Sequence, residues 1–239
     1  MDALRFLDFI RKVAADLIWP PACILCRNYS RDVVCKECRT KSRLYASGSL
    51  FDGTQSKSCS CAPSCSHIYA AGAYSGAYKD AVIDYKFNSM LWIGKGFAEL
   101  MYKMLETRNV FENCAGITFV PVSDKRFAER GFDQSKFIAE YIAEKADLKC
   151  MDLLLRCVQG TAQSKFNRKE RIENSHERFI FNPKAKKYED LCLGKSNKLL
   201  LVDDILTTGA TLEECASLLV KNGYRNIIGA VIATGRKDI

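Results

Sequence analysis

The chain has 239 residues, 48% of them hydrophobic and 27% charged, and carries a formal net charge of +8. That length supports one substantial core plus a smaller module, and the balance is that of a globular chain rather than a disordered or fibrous one. No run approaches the roughly eighteen apolar residues of a membrane helix, so no membrane span is expected.

Residues 1–19 place Leu4, Leu7, Ile10, Ala14, Leu17 and Ile18 on one helical face. The pattern predicts a helix lying on the protein's own core, with a membrane-surface helix as the alternative. Asp2, Arg5, Asp8, Arg11, Lys12 and Asp16 interrupt the apolar stretch a signal peptide needs, so a cytoplasmic location is expected. Pro20 and Pro21 end the helix.

Seven of the twelve cysteines fall within the first 65 residues. Four read Cys23-x2-Cys26 and Cys35-x2-Cys38, and each such turn can present two thiolates to one ion. A hairpin across the gap would complete a tetrahedral Zn²⁺ site. Disulfides are the alternative, disfavoured where no secretory signal is present. Cys59, Cys61, Cys65 and His67 form a looser cluster whose spacing suits a partial second site rather than a complete one. The Ser- and Gly-rich run over 46–58 reads as a connection. Residues 1–67 are therefore expected to be an N-terminal helix with a zinc-ribbon-like module, and 68–239 a second domain. Cys114, Cys150, Cys157, Cys192 and Cys215 sit among apolar residues, as buried thiols do.

From Ile68 the composition changes. A strand is expected over 68–74, a helix over 78–87 carrying Lys86, and a second helical pattern over 97–105. A strand over 116–122 follows, with Lys125, Arg126 and Arg130 beyond its carboxyl end. The next helix, 135–144, offers Phe137, Ile138, Tyr141 and Ile142 as its buried face. Between Arg156 and Lys187 nine Lys or Arg stand against three Glu, a local charge of +6. Such a segment is either a solvated face or a surface for polyanions.

Leu199, Leu200, Leu201 and Val202 suit a strand buried on both faces, as in parallel sheets. Asp203 and Asp204 follow at its carboxyl end, where open α/β sheets place ligands. Then come Thr207, Thr208, Gly209, Ala210 and Thr211, and a helix over 212–222 ending before Gly223. Thr211 and Glu214 have capping-box spacing. Exposed N–H groups at a helix start form an anion site, so this loop suits a phosphate. No Walker-type phosphate loop occurs in the chain.

The stretch 199–211 resembles the phosphoribosyl pyrophosphate signature of type I phosphoribosyltransferases. In that family the acids bind the ribose hydroxyls and the loop holds the 5′-phosphate. Tyr85-Lys86-Phe87, Val120-Pro121-Val122 and Arg130-Gly131-Phe132-Asp133-Gln134 narrow the resemblance to the ComF family, as does the spacing of Gln163, Arg171 and Asn174. ComF proteins are competence-associated and join a cysteine-rich zinc module to a phosphoribosyltransferase-like domain. Ser123 replaces a Pro common in the family and Asp133 an Asn, and the family's second pair of zinc knuckles is reduced here to the Cys59 cluster.

The resemblance implies an α/β fold with a parallel sheet flanked by helices over 68–239. It implies phosphoribosyl pyrophosphate and Mg²⁺ as ligands of Asp203, Asp204, Thr207, Thr208, Gly209, Ala210, Thr211 and Lys125. Arg126, Arg130 and Arg171 are the expected catalytic cations, and Cys23, Cys26, Cys35 and Cys38 the structural Zn²⁺ ligands. A role in DNA uptake, with single-stranded DNA and competence-machinery proteins as partners, follows from the family association. The alternative is a binding module that keeps the phosphate loop without turnover. No residue stands out as a base for an acceptor.

Overall fold

The computed structural model of the chain describes residues 21–42, 60–157, 178–188 and 198–236. The expected helix over 1–19, and Cys59, Gln163, Arg171, Asn174 and Cys192, lie outside these residues. The central strand is β5 (Lys198–Leu206), a nine-residue segment whose apolar run is buried throughout. Alternation sends Leu199 and Leu201 to one apolar core and Leu200 and Val202 to another, so the strand is covered on both faces. At roughly 1.5–3 kcal/mol for each fully buried Leu or Val side chain, this run is a principal source of the sheet's stability.

Around it lie β1 (Cys65–Ala73), β2 (Cys114–Phe119) and β6 (Asn226–Thr234), in the order β1-β6-β5-β2 with every pair parallel. β6, which the sequence reading did not single out, pairs with both β1 and β5 at the centre of the sheet. It holds Gly229 where an added Cβ would lie 2.8 Å from Leu212, so helix and strand approach closely there.

On one face pack α2 (Gly76–Phe87), α3 (Leu91–Thr107) and α5 (Gln134–Ala146). On the other lies α6 (Ala210–Lys221), whose Leu212, Cys215, Ala216 and Leu219 recur at i, i+3, i+4 and i+7 and are all buried. The stretch after β2 that carries Lys125, Arg126 and Arg130 forms α4 (Asp124–Arg130). Ser123 Oγ accepts the Arg126 N–H at its start, and Gly131, at φ +77°, ends it in a left-handed conformation natural to glycine. A two-stranded antiparallel ribbon, β3 (Leu154–Arg156) with β4 (Phe179–Phe181), packs on the α6 side through Leu154 and Phe179.

The cysteine module folds around two turns and the short helix α1 (Lys36–Lys41). Its Ile24, Leu25 and Val34 join the apolar core of the α3 face instead of forming one of their own. Ile24 closes over Gly96 of α3, where a Cβ would come within 2.4 Å of it, and Arg27 pairs with Asp84 of α2. No helix among the described residues is long and apolar enough to cross a membrane.

Candidate functional site

Parallel strands end together, so their carboxyl ends form one edge where loops meet. A cleft of about 320 Å³ opens at that edge. Its lining brings together Asp203, Asp204, Thr207 and Thr211 from β5 and the loop after it, Val120 to Val122 and Arg126 after β2, and Lys86 from α2. Arg156 and Arg178, on and beside the β3/β4 ribbon, complete its basic wall.

The two aspartates have different surroundings, as alternation along a strand requires. Asp203 is buried; its Oδ1 accepts the Asp204 N–H at 2.7 Å and the Ser135 hydroxyl at 3.4 Å. Asp204 pairs through Oδ2 with Lys86 Nζ at 2.6 Å. Burial, and then the charge of Asp204, push Asp203 up to about 8, against the opposing pull of the Asp204 N–H, Lys86 and Ser135. An unfolded Asp titrates near 3.9, so the protonated carboxyl favours the fold at low pH. That contribution is lost as pH rises from ~4 through about 8. The acidic pair, with Asp204 balanced by Lys86, forms the negative end of the cleft.

The family-like motifs acquire physical roles. Tyr85 is fully buried and donates its hydroxyl to the Gln134 carbonyl at 2.9 Å, and its neighbour Lys86 lines the cleft. Phe87 lies under the Arg130 guanidinium, 4.9 Å from ring centre to Cζ. Asp133 caps α5 by accepting the Lys136 N–H at 3.0 Å and holds the loop after β2 by accepting the Val122 N–H at 3.1 Å. Burial raises its pKa, and the N–H donors oppose that shift.

Of the cations expected at the site, Arg126 lines the cleft and Lys125 stays exposed outside the lining. Arg130 is buried and donates to Gln134 Oε1 at 2.9 Å, also outside the lining. Thr208 and Gly209 form the bend after Thr207 and Ala210 opens α6, and these three residues stay outside the lining. Gly209, at φ +87°, presses against the Cys61 backbone so closely that a Cβ would lie 2.4 Å from its carbonyl oxygen. The expected capping box is not formed. α6 begins at Ala210 with Gly209 as its N-cap, and Glu214 turns instead to Arg178, accepting its backbone N–H at 2.7 Å and its Nε–H at 2.8 Å. Glu213 accepts both the N–H and the hydroxyl of Ser64, at 2.8 and 2.7 Å. The segment that leaves the cysteine module is thereby tied to the first turn of α6. Spacing in sequence carried no signal for Arg178 or Ser64, because both act through partners far along the chain.

In the cysteine module the ligand atoms of Cys23, Cys26, Cys35 and Cys38 lie within 4.8 Å of one another, with Cys26 and Cys35 sulfurs 3.7 Å apart. A tetrahedron with metal–sulfur bonds of ~2.3 Å has edges of about 3.8 Å, so the cluster is compatible with structural zinc. Backbone N–H groups of Cys35 and Cys38 point at the sulfurs of Cys23 and Cys35. Burial raises the Cys23 thiol, but the surrounding N–H donors outweigh it and bring the group down to about 7. Cys38 is pushed far up by burial and by its neighbouring thiols. A divalent cation, when bound there, would hold all four as thiolates. Among the described residues no other set of three or more metal-ligating groups converges. Cys61 is half-buried and Cys65 and His67 belong to β1.

No family profile matches the sequence. Three relatives do. The competence protein ComFC of Streptococcus pneumoniae is 31% identical over 154 residues, 64% of this chain and 62% of that protein. Competence protein F of Haemophilus influenzae is 24% identical over 169 residues, 69% of this chain and 71% of the relative. ComFC of Bacillus subtilis is 33% identical over 104 residues, 44% of this chain and 38% of the relative. The matched region thus spans less than two thirds of the pneumococcal protein's length.

Proposed function

Since the chain belongs to the ComF family of competence proteins, we propose that its cleft binds phosphoribosyl pyrophosphate with Mg²⁺ and transfers the phosphoribosyl group to an acceptor. The observation that carries this reading is the convergence of a Thr-rich turn at a helix start, an acidic pair and several cations on one cleft. Each part has a task. The first-turn N–H groups of α6 have no intrahelical acceptors, and with Thr207 and Thr211 they would take the 5′-phosphate. Asp203 and Asp204 would hold the ribose hydroxyls and the Mg²⁺. Lys86 and Arg126 would meet the pyrophosphate.

In the transfer, the bond from C1 to pyrophosphate breaks while the acceptor's bond to C1 forms, and positive charge develops on the sugar. Preorganised groups that oppose this charge, and cations that take up the departing negative charge, lower the barrier. Mg²⁺, when bound, supplies neutralisation of the pyrophosphate oxygens. Arg130 would act by position, holding the turn after α4 against Phe87. Zn²⁺ on Cys23, Cys26, Cys35 and Cys38 is structural in this reading, and the ordinary location of such a protein is the cytoplasm. The competence proteins among its relatives support a competence-linked role alongside other competence proteins, and contact with incoming single-stranded DNA belongs to the proposed reading. Hypothesis and test are one calorimetric titration with phosphoribosyl pyrophosphate and Mg²⁺. Wild type should bind, and the double variant Asp203→Asn, Asp204→Asn should lose about tenfold or more in affinity, at least 1.4 kcal/mol. Equal affinities, or no binding by wild type, would sink the reading.

A further inference from the structure

The cleft is unevenly charged. At the end of β5, Lys86 is matched by Asp204. At the ribbon, Arg126, Arg156 and Arg178 stand together, and Arg126 and Arg178 are near enough to oppose the charge of Arg156. Among the described residues the carboxylate paired with this group is Glu214, and it is committed to Arg178 through the backbone N–H and two guanidinium contacts at 2.8 and 2.6 Å. Among the described residues Arg156 and Arg126 have no carboxylate within ion-pair distance.

Arg156 is also held in place. It is the cross-strand partner of Phe179, a buried residue packed on α6, and its Cζ lies 5.1 Å from that ring's centre. Arg178 reaches the same ring at 5.8 Å. A half-buried guanidinium beside two like charges costs free energy unless an anion meets it. Its planar fork binds carboxylate or phosphate oxygens in pairs, a geometry that a lysine cannot offer.

We propose that Arg156 and Arg178 form a second anion subsite in this cleft, which receives a carboxylate or phosphate group of the acceptor, while the neighbouring Arg126 stays with the pyrophosphate. The inference rests on the phosphoribosyl pyrophosphate reading for the identity of its neighbour. It deepens that reading by making the acceptor an anionic small molecule. The loop over 207–211 serves the 5′-phosphate, and Lys86 and Arg126 serve the pyrophosphate, which leaves the ribbon arginines for the second substrate. Glu214 acts as a positioning residue that aims Arg178.

The test uses sulfate as the oxyanion probe, exchanged against chloride at constant ionic strength, with the arginine side-chain N–H resonances followed by NMR. Protein saturated with phosphoribosyl pyrophosphate and Mg²⁺ should show a saturable sulfate shift. Arg156→Gln should weaken it about tenfold or more, a change of at least 1.4 kcal/mol, and leave affinity for phosphoribosyl pyrophosphate within about threefold. Arg156→Lys, which keeps charge and stem, should fold as wild type and fall between the two. Displacement of phosphoribosyl pyrophosphate by sulfate would overturn the proposal, because the arginines would then belong to the first ligand. So would a sulfate effect indifferent to Arg156, which marks an adventitious ion only. Displacement of sulfate by an oligothymidylate, at concentrations where free thymidine monophosphate has no effect, would assign the arginines to nucleic-acid phosphates instead. If wild type fails to bind phosphoribosyl pyrophosphate, the preceding reading falls by itself, while saturable, Arg156-dependent sulfate binding to the unloaded protein still supports the subsite.

Discussion

The cysteine module and the parallel sheet reach order by different physics. The sheet buries a continuous apolar run on both faces of β5, so its stability is spread over many side chains. The module gathers four thiols where a small domain would need a core, and lends its few large apolar side chains to the core of its neighbour. Its order is concentrated in one ligand set. A polar cluster of this kind is costly without its cation and strongly favourable with it. The contrast predicts that the two regions fail separately, and three substitutions probe it.

Cys23→Ser should have the largest effect. Structural zinc contributes about 10–16 kcal/mol of apparent binding free energy in small knuckle peptides, so loss of one buried ligand should release the metal and unfold the turns over 23–38. Elemental analysis combined with hydrogen exchange would read this; full metal retention would break the comparison at its root. Next comes Leu200→Ala in the centre of β5, which should cost roughly 2–5 kcal/mol of unfolding free energy in denaturant while metal content stays that of wild type. Metal loss in this variant would mean that sheet and module form one cooperative unit. Smallest is Ser64→Ala, which removes the hydroxyl from the tie to Glu213. A cost of about 1 kcal/mol is expected, with metal and sheet both intact. A cost several times larger would show that this segment governs the docking of the loop over 207–211 and does not merely border it.

Much of the sheet was readable because its signals are local. Four consecutive apolar residues before two acids identify a doubly covered strand, and the helices over 78–87 and 135–144 show their periodicity within a few turns. β6 was harder, since its apolar run is equally consistent with other buried elements until its neighbours β1 and β5 are known. The helix α4 hid behind charge. Its capping serine and terminating glycine are visible in retrospect, but seven residues leave too few turns for a pattern. Thr211 and Glu214 show the opposite failure, in which a correct spacing was overridden. Gly209 begins the helix earlier, and Arg178, thirty-six positions away in sequence, takes the glutamate.

The sequence by itself determined the chemistry available: four thiols at knuckle spacing, an acidic pair ending a buried strand, and a small-residue turn before a helix. These are properties of adjacent residues, whose relative placement short-range geometry already limits. Tertiary structure alone decided which charges meet. It set Lys86 against Asp204, withdrew Arg130 to a ring of Phe87, and brought Arg156 and Arg178 to the cleft wall from a ribbon whose strands are joined by a long segment. Side-chain charges separated by tens of residues interact only once the core has folded the backbone between them, and the sequence order of those charges carries no record of that distance.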